Sequence, residues 1–162
     1  MAVQKKFVAL GKPLDAAFSV KMVDNWNPVF DMTDETYIKN AELTAEAEIP
    51  HVVEQISAKA HIMELKKTIP TPLQKIADNM HVKARDTKKF NVSQACIGCT
   101  LCERKCPVGA IQMENDRPIW VKPDCTLCLG YVHRCPTNAI SYTEATKAHG
   151  QYFNPHIKPN AL

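Results

Sequence analysis

Cys96, Cys99, Cys102 and Cys106 stand in the run CIGCTLCERKCP, and Cys125, Cys128 and Cys135 stand in the run CTLCLGYVHRCP. The two runs share one spacing and one terminal Cys-Pro, and they are offset by 29 positions. In the second run Tyr131 takes the third place. The segments after the prolines repeat as well: PVGAIQM (107–113) and PTNAISY (136–142) each turn into a short apolar strand. The back of the chain is therefore an internal duplication of about 25 to 30 residues. All seven cysteines fall between 96 and 135, which divides the chain into a cysteine-free front and a cysteine-dense back.

Three thiolates at intervals of three, on a tight loop, reach three irons of one cubane. The fourth cysteine lies beyond their reach, and in two-cluster proteins with this run it ligates the other cluster. On that rule Cys96, Cys99, Cys102 and Cys135 hold a 4Fe-4S cluster. Cys106, Cys125 and Cys128 hold a second iron–sulfur cluster, with Tyr131 at the missing-ligand position. Each fourth cysteine is expected at the start of a short helix, with the proline turning the chain away. A lone CxxC suits zinc as well as iron, but zinc sites use two CxxC pairs or a late His pair for one tetrahedron. The doubled run has no such economy. An odd number of cysteines also fits a disulfide framework poorly, and inert buried thiols do not account for this density.

Tyr131 leaves the second site open to several readings. A 3Fe-4S cluster comes first. A 4Fe-4S cluster with water, another oxygen ligand or the Tyr131 phenolate on the fourth iron comes second, and an empty site third. A rare variant with little selective history is a further reading. His133 is no substitute ligand, because on a helix it stands about 200° round from position 131. Asn115–Asp116 reads as the turn of a hairpin, with Ile111 and Met113 on one side and Ile119, Trp120 and Val121 on the other. Ile97, Leu101, Val108, Ile111, Leu127 and Ile140 are expected to sheath the clusters and so limit solvent access. Charges over 91–145 cancel, which predicts weak electrostatic steering of a redox partner.

The front half carries no chemistry of its own. A short helix ends at Gly11, and alternation of Phe18, Val20 and Met22 predicts a strand within 12–23. DNWNPVFDMTD (24–34) reads as a loop. Apolar residues from Ile38 to Leu65 recur at helical spacing, predicting a helix over 35–67, kinked or restarted at Pro50 and ended by IPTP (69–72). A shorter helix follows over 72–80, and HVKARDTKKF (81–90) reads as a basic linker or solvated helix end. GxGxxG, GxxxxGK[ST], GxSxG and HExxH are all absent, so no catalytic residue is assigned. His51 and His61 read as solvated surface histidines. Trp26 reads as a packing anchor in preference to a flavin-stacking ring. A formal net charge of +3 suggests no nucleic-acid partner. No segment reaches the roughly 18 apolar residues of a membrane span, so the expected location is the cytoplasm.

On these residues, the back half resembles the bacterial dicluster ferredoxins, low-potential electron carriers with a compact α+β fold of hairpins and short helices around two clusters. LDAAFSVKMVDNWNPVFD, the long helix after it, KKFNVSQACIGCTLCERKCP and GQYFNPHIKP are similar to flavodoxin–ferredoxin fusion proteins of anaerobic bacteria. The MP-x-NY stretch of that family stands here as Met22-Val23-Asp24-Asn25-Trp26. The flavin-phosphate loop and the first strands of the flavodoxin domain have no counterpart, so FMN binding by this chain alone is not expected. The implied organisation is a partial flavodoxin-like segment (1–80), a linker (81–90), a dicluster ferredoxin domain (91–145) and a tail (146–162). The implied function is electron transfer, with oxidoreductases and a flavodoxin-like chain as partners. The alternatives are the electron-feeding part of a flavin-dependent oxidoreductase, and a cluster-based sensor or interaction module.

Overall fold

The computed structural model describes residues 2–65 and 71–157. They form two compact units, Met1–Val23 with Thr36–Pro70, and Asp24–Glu35 with Thr71–Leu162. No helix among the described residues is long and apolar enough to cross a membrane.

In the first unit, α1 (Ala2–Ala9) stops at Gly11, whose φ of +68° suits a residue without a Cβ. β1 (Ala17–Phe18) and β2 (Met63–Glu64) pair in parallel, with α2 (Glu35–Ser57) between them in sequence. Parallel strands require such a crossover. The strand expected across 12–23 shrinks to two residues because its partner is equally short. The ladder closes with Ala17 N–H donating to Ile62 O at 2.9 Å and Ser19 N–H to Glu64 O at 3.1 Å. The expected helix also ends early, at Ser57 and not at 67. There Lys59 turns through a φ of +52°, and the chain reverses to bring Met63 beside Ala17. The apolar period up to Leu65 thus belongs partly to a strand. α2 passes through Pro50 as one helix. The Lys66–Lys67 end and the Ile69–Pro70 stop lie outside the described residues. His51 pairs with Glu64 at 2.9 Å and His61 with Asp15 at 3.5 Å, all at the surface.

In the second unit α3 spans Thr71–Ala84, starting one residue before and ending four residues after the helix that the sequence suggests. Asp86 then caps a single 3-10 turn by accepting the Lys88 N–H. β3 (Asn91–Val92) pairs antiparallel with β6 (Ile140–Ser141), and β4 (Ile111–Glu114) with β5 (Arg117–Trp120). The latter hairpin turns at Asn115 and Asp116, with φ of 48° and 60°, the two left-handed residues of a type I′ turn. α4 (Leu101–Arg104) and α5 (Gly130–Arg134) occupy equivalent places in the two repeats. The fourth cysteines therefore follow their short helices and do not start them. Left-handed Thr100 and Leu129 open each helix early, so that it fills the interval between the third and fourth motif positions.

The core of this unit centres on Ala110, Ile111, Leu127, Leu129, Val132 and Ile140. Phe90 is part of it, although its segment reads as a linker. Its ring stacks on Trp120 at 5.4 Å and meets Tyr131 at 5.0 Å and Tyr142 at 5.2 Å edge-on. Charged neighbours in 81–90 hide one buried aromatic. The loop 24–35 is also built in: Asn27 Nδ2 donates to Gly150 O at 2.9 Å, and Met32 N–H to His149 O at 2.7 Å.

Candidate metal centre

Cys96, Cys99, Cys102 and Cys135 line one pocket, together with Leu101, Met113, Tyr131 and Ile140. The first three arrive on a loop wound by left-handed Gly98 (φ +65°) and Thr100 (φ +63°). Gly98 presses against the hairpin turn, where a Cβ would stand 3.1 Å from both Asp116 Cβ and Asp116 O. Cys135 enters from the other repeat as the chain leaves α5. Its Sγ accepts the Ala139 N–H at 3.2 Å, and in the first repeat Cys106 Sγ accepts the Ala110 N–H at 3.1 Å. Each donor is the alanine four places after the cysteine. Sequence reasoning missed these donors, but their signal was the alanine shared by PVGAIQM and PTNAISY. Burial pushes the Cys102 thiol above its ordinary range, the largest of several influences on it.

The donor set fits a polynuclear iron–sulfur cluster. Four thiols around one pocket, one of them with a backbone N–H on its sulfur, suit a cubane.

The three remaining cysteines are placed differently. Cys125 is buried at 5% exposure, and its Sγ accepts the Leu127 N–H at 3.3 Å. Cys106 is half-buried and Cys128 exposed. Cys128 lines a second cavity with Asn25, Trp26, Met80, Leu127 and Leu129. Tyr131 lies between the two sites. Its ring lines the first cavity, while its hydroxyl stands 3.9 Å from Cys125 Sγ. Burial drives the Tyr131 phenol well above its ordinary pKa, and the neighbouring Cys125 and Cys128 add to this against an opposing Trp120 indole.

His133 is committed elsewhere. Its Nε2–H donates to Asn25 O at 2.7 Å and its Nδ1 accepts the Tyr152 N–H at 3.1 Å. The carbonyl can only accept, which fixes the tautomer, and burial holds the imidazole below its ordinary pKa. Of the expected sheath, Ile111, Leu127 and Ile140 are buried, whereas Ile97 lines the first cavity yet is 66% exposed. Trp26 packs against the core, and its indole N–H is buried with no hydrogen-bond partner.

Residues 95–140 match the model of the 4Fe-4S dicluster domain. Over 60 residues the chain is 38% identical to a component of the ion-translocating oxidoreductase complex of Methanosarcina acetivorans, covering 37% of this chain and 22% of that one. Over 48 residues it is 38% identical to a ferredoxin-like protein in the nif region of Trichormus variabilis, covering 29% of this chain and 41% of that one. The chain thus spans less than half the length of these two relatives. No solved structure matches it. The match to a ferredoxin of Methanothermococcus thermolithotrophicus runs over 47 residues at 36% identity, 28% of this chain but 78% of that protein. A relative aligned across most of its own length shows that the chain belongs to the ferredoxin family and binds a 4Fe-4S cluster.

Proposed function

We propose that the chain is a one-electron carrier with one complete 4Fe-4S site and one altered site. The observation that carries this reading is the cavity shared by Cys96, Cys99, Cys102 and Cys135, four thiols from two repeats around one space. When bound, the cluster supplies a one-electron couple whose potential follows its ligands, hydrogen bonds and exposure. The chain's own residues hold it and seal it: Ala139 N–H steadies the Cys135 sulfur, while Leu101, Met113, Tyr131 and Ile140 exclude water.

For the second site, Cys106, Cys125 and Cys128 are the ligands and 3Fe-4S is the cluster. A ring anchored edge-on to Phe90 and Trp120, with its hydroxyl 3.9 Å from Cys125 Sγ, supports Tyr131 as a neighbour of that thiolate and not an iron ligand. The organisation we favour keeps a flavodoxin-like segment in front of the ferredoxin module. The parallel strand–helix–strand crossover of β1, α2 and β2 supports it, being the repeating element of doubly wound sheets. The partners are then cytoplasmic oxidoreductases, or a flavodoxin-like chain that exchanges electrons with the module.

Anaerobic reconstitution with iron and sulfide counting, and EPR of oxidised and reduced protein, tests this. About seven irons per chain are expected, four plus three, with a paramagnetic 3Fe-4S signal in the oxidised state. Eight irons with a spin-coupled reduced pair would reject the 3Fe-4S assignment. Zinc in place of iron and sulfide would reject electron transfer altogether.

A further inference from the structure

Residues 146–162 read from the sequence as a tail, yet one side chain there reaches back to the first site. Gln151 Nε2 donates to Val132 O at 2.6 Å and to Cys135 O at 2.8 Å. Both acceptors are carbonyls, so the amide turns its nitrogen towards them and spends both of its N–H groups. A helix leaves its last carbonyls without partners inside the helix, and α5 ends in Cys135 as its capping residue. One amide therefore closes the end of α5 and holds the backbone of the thiol that follows it. The residues around Gln151 are fastened too. Tyr152 N–H donates to His133 Nδ1 at 3.1 Å, Gly150 O accepts from Asn27 Nδ2 at 2.9 Å, and His149 O accepts the Met32 N–H at 2.7 Å. Residues 149–152 thus run as a strap between the loop 24–35 and α5, anchored on an Asn27 that is 1% exposed.

The duplication shows that this strap is an addition. Cys106 and Cys135 are equivalent in the two runs, and each sulfur accepts the N–H of the alanine four places on. Each carbonyl also accepts a turn N–H, that of Gly109 at 3.2 Å and that of Asn138 at 3.1 Å. Among the described residues a side-chain donor reaches the carbonyl of Cys135 and none reaches that of Cys106. The difference falls on the thiol with the least local support. Cys96, Cys99 and Cys102 share one loop, whereas Cys135 enters their pocket from the other repeat.

We propose that Gln151 is the positioning residue for Cys135 as a ligand of the first cluster. By fixing Val132 O and Cys135 O, it sets where the Cys135 sulfur enters the pocket and keeps that sulfur on the Ala139 N–H. This rests on the reading that Cys96, Cys99, Cys102 and Cys135 hold the first cluster. Gln151 stands outside the lining of the pocket and acts through the backbone of Cys135. An N–H bond to sulfur favours the reduced, more negative cluster, so a Cys135 that drifts from Ala139 lowers the potential.

The test is Gln151→Met in the full chain, which keeps the side chain's length and removes both N–H donors. Loss of a group that orients a metal ligand typically costs about 10–100-fold in metal affinity. After anaerobic reconstitution the variant's first cluster should therefore lose iron to a chelator at least roughly tenfold faster than that of the unsubstituted protein. Its midpoint should fall and its reduced EPR line shape should change. An unaltered loss rate, midpoint and line shape overturn the inference and leave the first-site reading standing. A variant that melts earlier but keeps its midpoint and line shape also overturns it, since Gln151 is then a helix cap only. Cys135→Ser, measured beside it, tests the reading itself: a first-cluster signal that survives without this thiol overturns both. Should Gln151→Met take up no cluster, NMR of the unsubstituted protein decides. Gln151 side-chain amide protons shifted by the reduced first cluster support the inference, and amide protons at their solvent-exposed positions overturn it.

Discussion

Replacing Tyr131 with cysteine should do two opposite things, and the structure sets the size of each. Tyr131 stands on α5 where Cys102 stands on α4, with its hydroxyl 3.9 Å from Cys125 Sγ. A thiol at this position restores the third cysteine of the second run, so on the proposed ligand sets Tyr131→Cys should raise the iron content from about seven to about eight and remove the oxidised 3Fe-4S signal. The ring it removes is 5% exposed and meets Phe90 at 5.0 Å and Trp120 at 6.0 Å. Truncating a buried aromatic to alanine costs about 3–5 kcal/mol. Cysteine retains one heavy atom beyond the Cβ, so roughly 2–4 kcal/mol is expected here, of which the two edge contacts account for about 1–3.

Tyr131→Ser separates the two effects, since it deletes the same ring without supplying a thiolate. For a unit of this size about 4–8 °C is lost per kcal/mol, so the serine variant should lose its visible absorbance about 8–30 °C earlier on heating, with no gain of iron. The cysteine variant should recover part of that loss through its extra ligand. Iron and sulfide analysis, EPR of the oxidised protein and thermal bleaching at one scan rate suffice. A cysteine variant that keeps about seven irons and the oxidised signal would show that Tyr131 does not stand at the vacancy. A serine variant shifted by less than about 4 °C would show that the ring is not a core element.

Three further outcomes follow from the same geometry. Cys135→Ser should abolish the first cluster's EPR signal although the residue lies in the second run, whereas Cys125→Ser should abolish only the second; a Cys135→Ser variant that keeps the first signal and loses the second would refute the crossed ligand assignment. Gly98→Ala must hold a φ of +65° with its Cβ 3.1 Å from Asp116 O. It should destabilise the unit by about 1–2 kcal/mol and slow reconstitution of the first cluster, measured by the rise of its visible absorbance. Phe90→Ala should cost about 3–5 kcal/mol in thermal bleaching, while Lys88→Ala, two residues away and exposed, should change stability by less than about 0.5 kcal/mol.

The duplicated back half was legible because each of its features is a local rule. The cysteine interval fixes a loop, and Asn115–Asp116 fixes a tight hairpin turn. What escaped the sequence depends on distant partners. The strand at 12–23 stops at Phe18 because Met63–Glu64 offers only two residues to pair with, and nothing near Phe18 encodes that length. Phe90 reads as part of a linker because its neighbours are charged, yet Trp120, Tyr131 and Tyr142 close around it from three later segments. The segment 24–34 reads as a loop, but its place against α5 depends on His133, which is 108 residues from Asn25.

The same contrast governs how the two sites differ. The first site is specified by its motif, and the tertiary structure adds only the crossing of Cys135. At the second site the motif is one ligand short, and the local pattern treats Tyr131 as a loss. In the fold that tyrosine is also a wall of the first cavity and a member of the aromatic core. On the proposed ligand sets, a cysteine there would complete one cluster while thinning the shell of the other. Substitutions at this one position should then alter solvent access to the first cluster as well as the iron content of the second. A first-cluster midpoint that shifts in Tyr131→Ser, where no ligand of that cluster has changed, is the expected sign of that coupling. An unshifted midpoint would reduce Tyr131 to a simple vacancy.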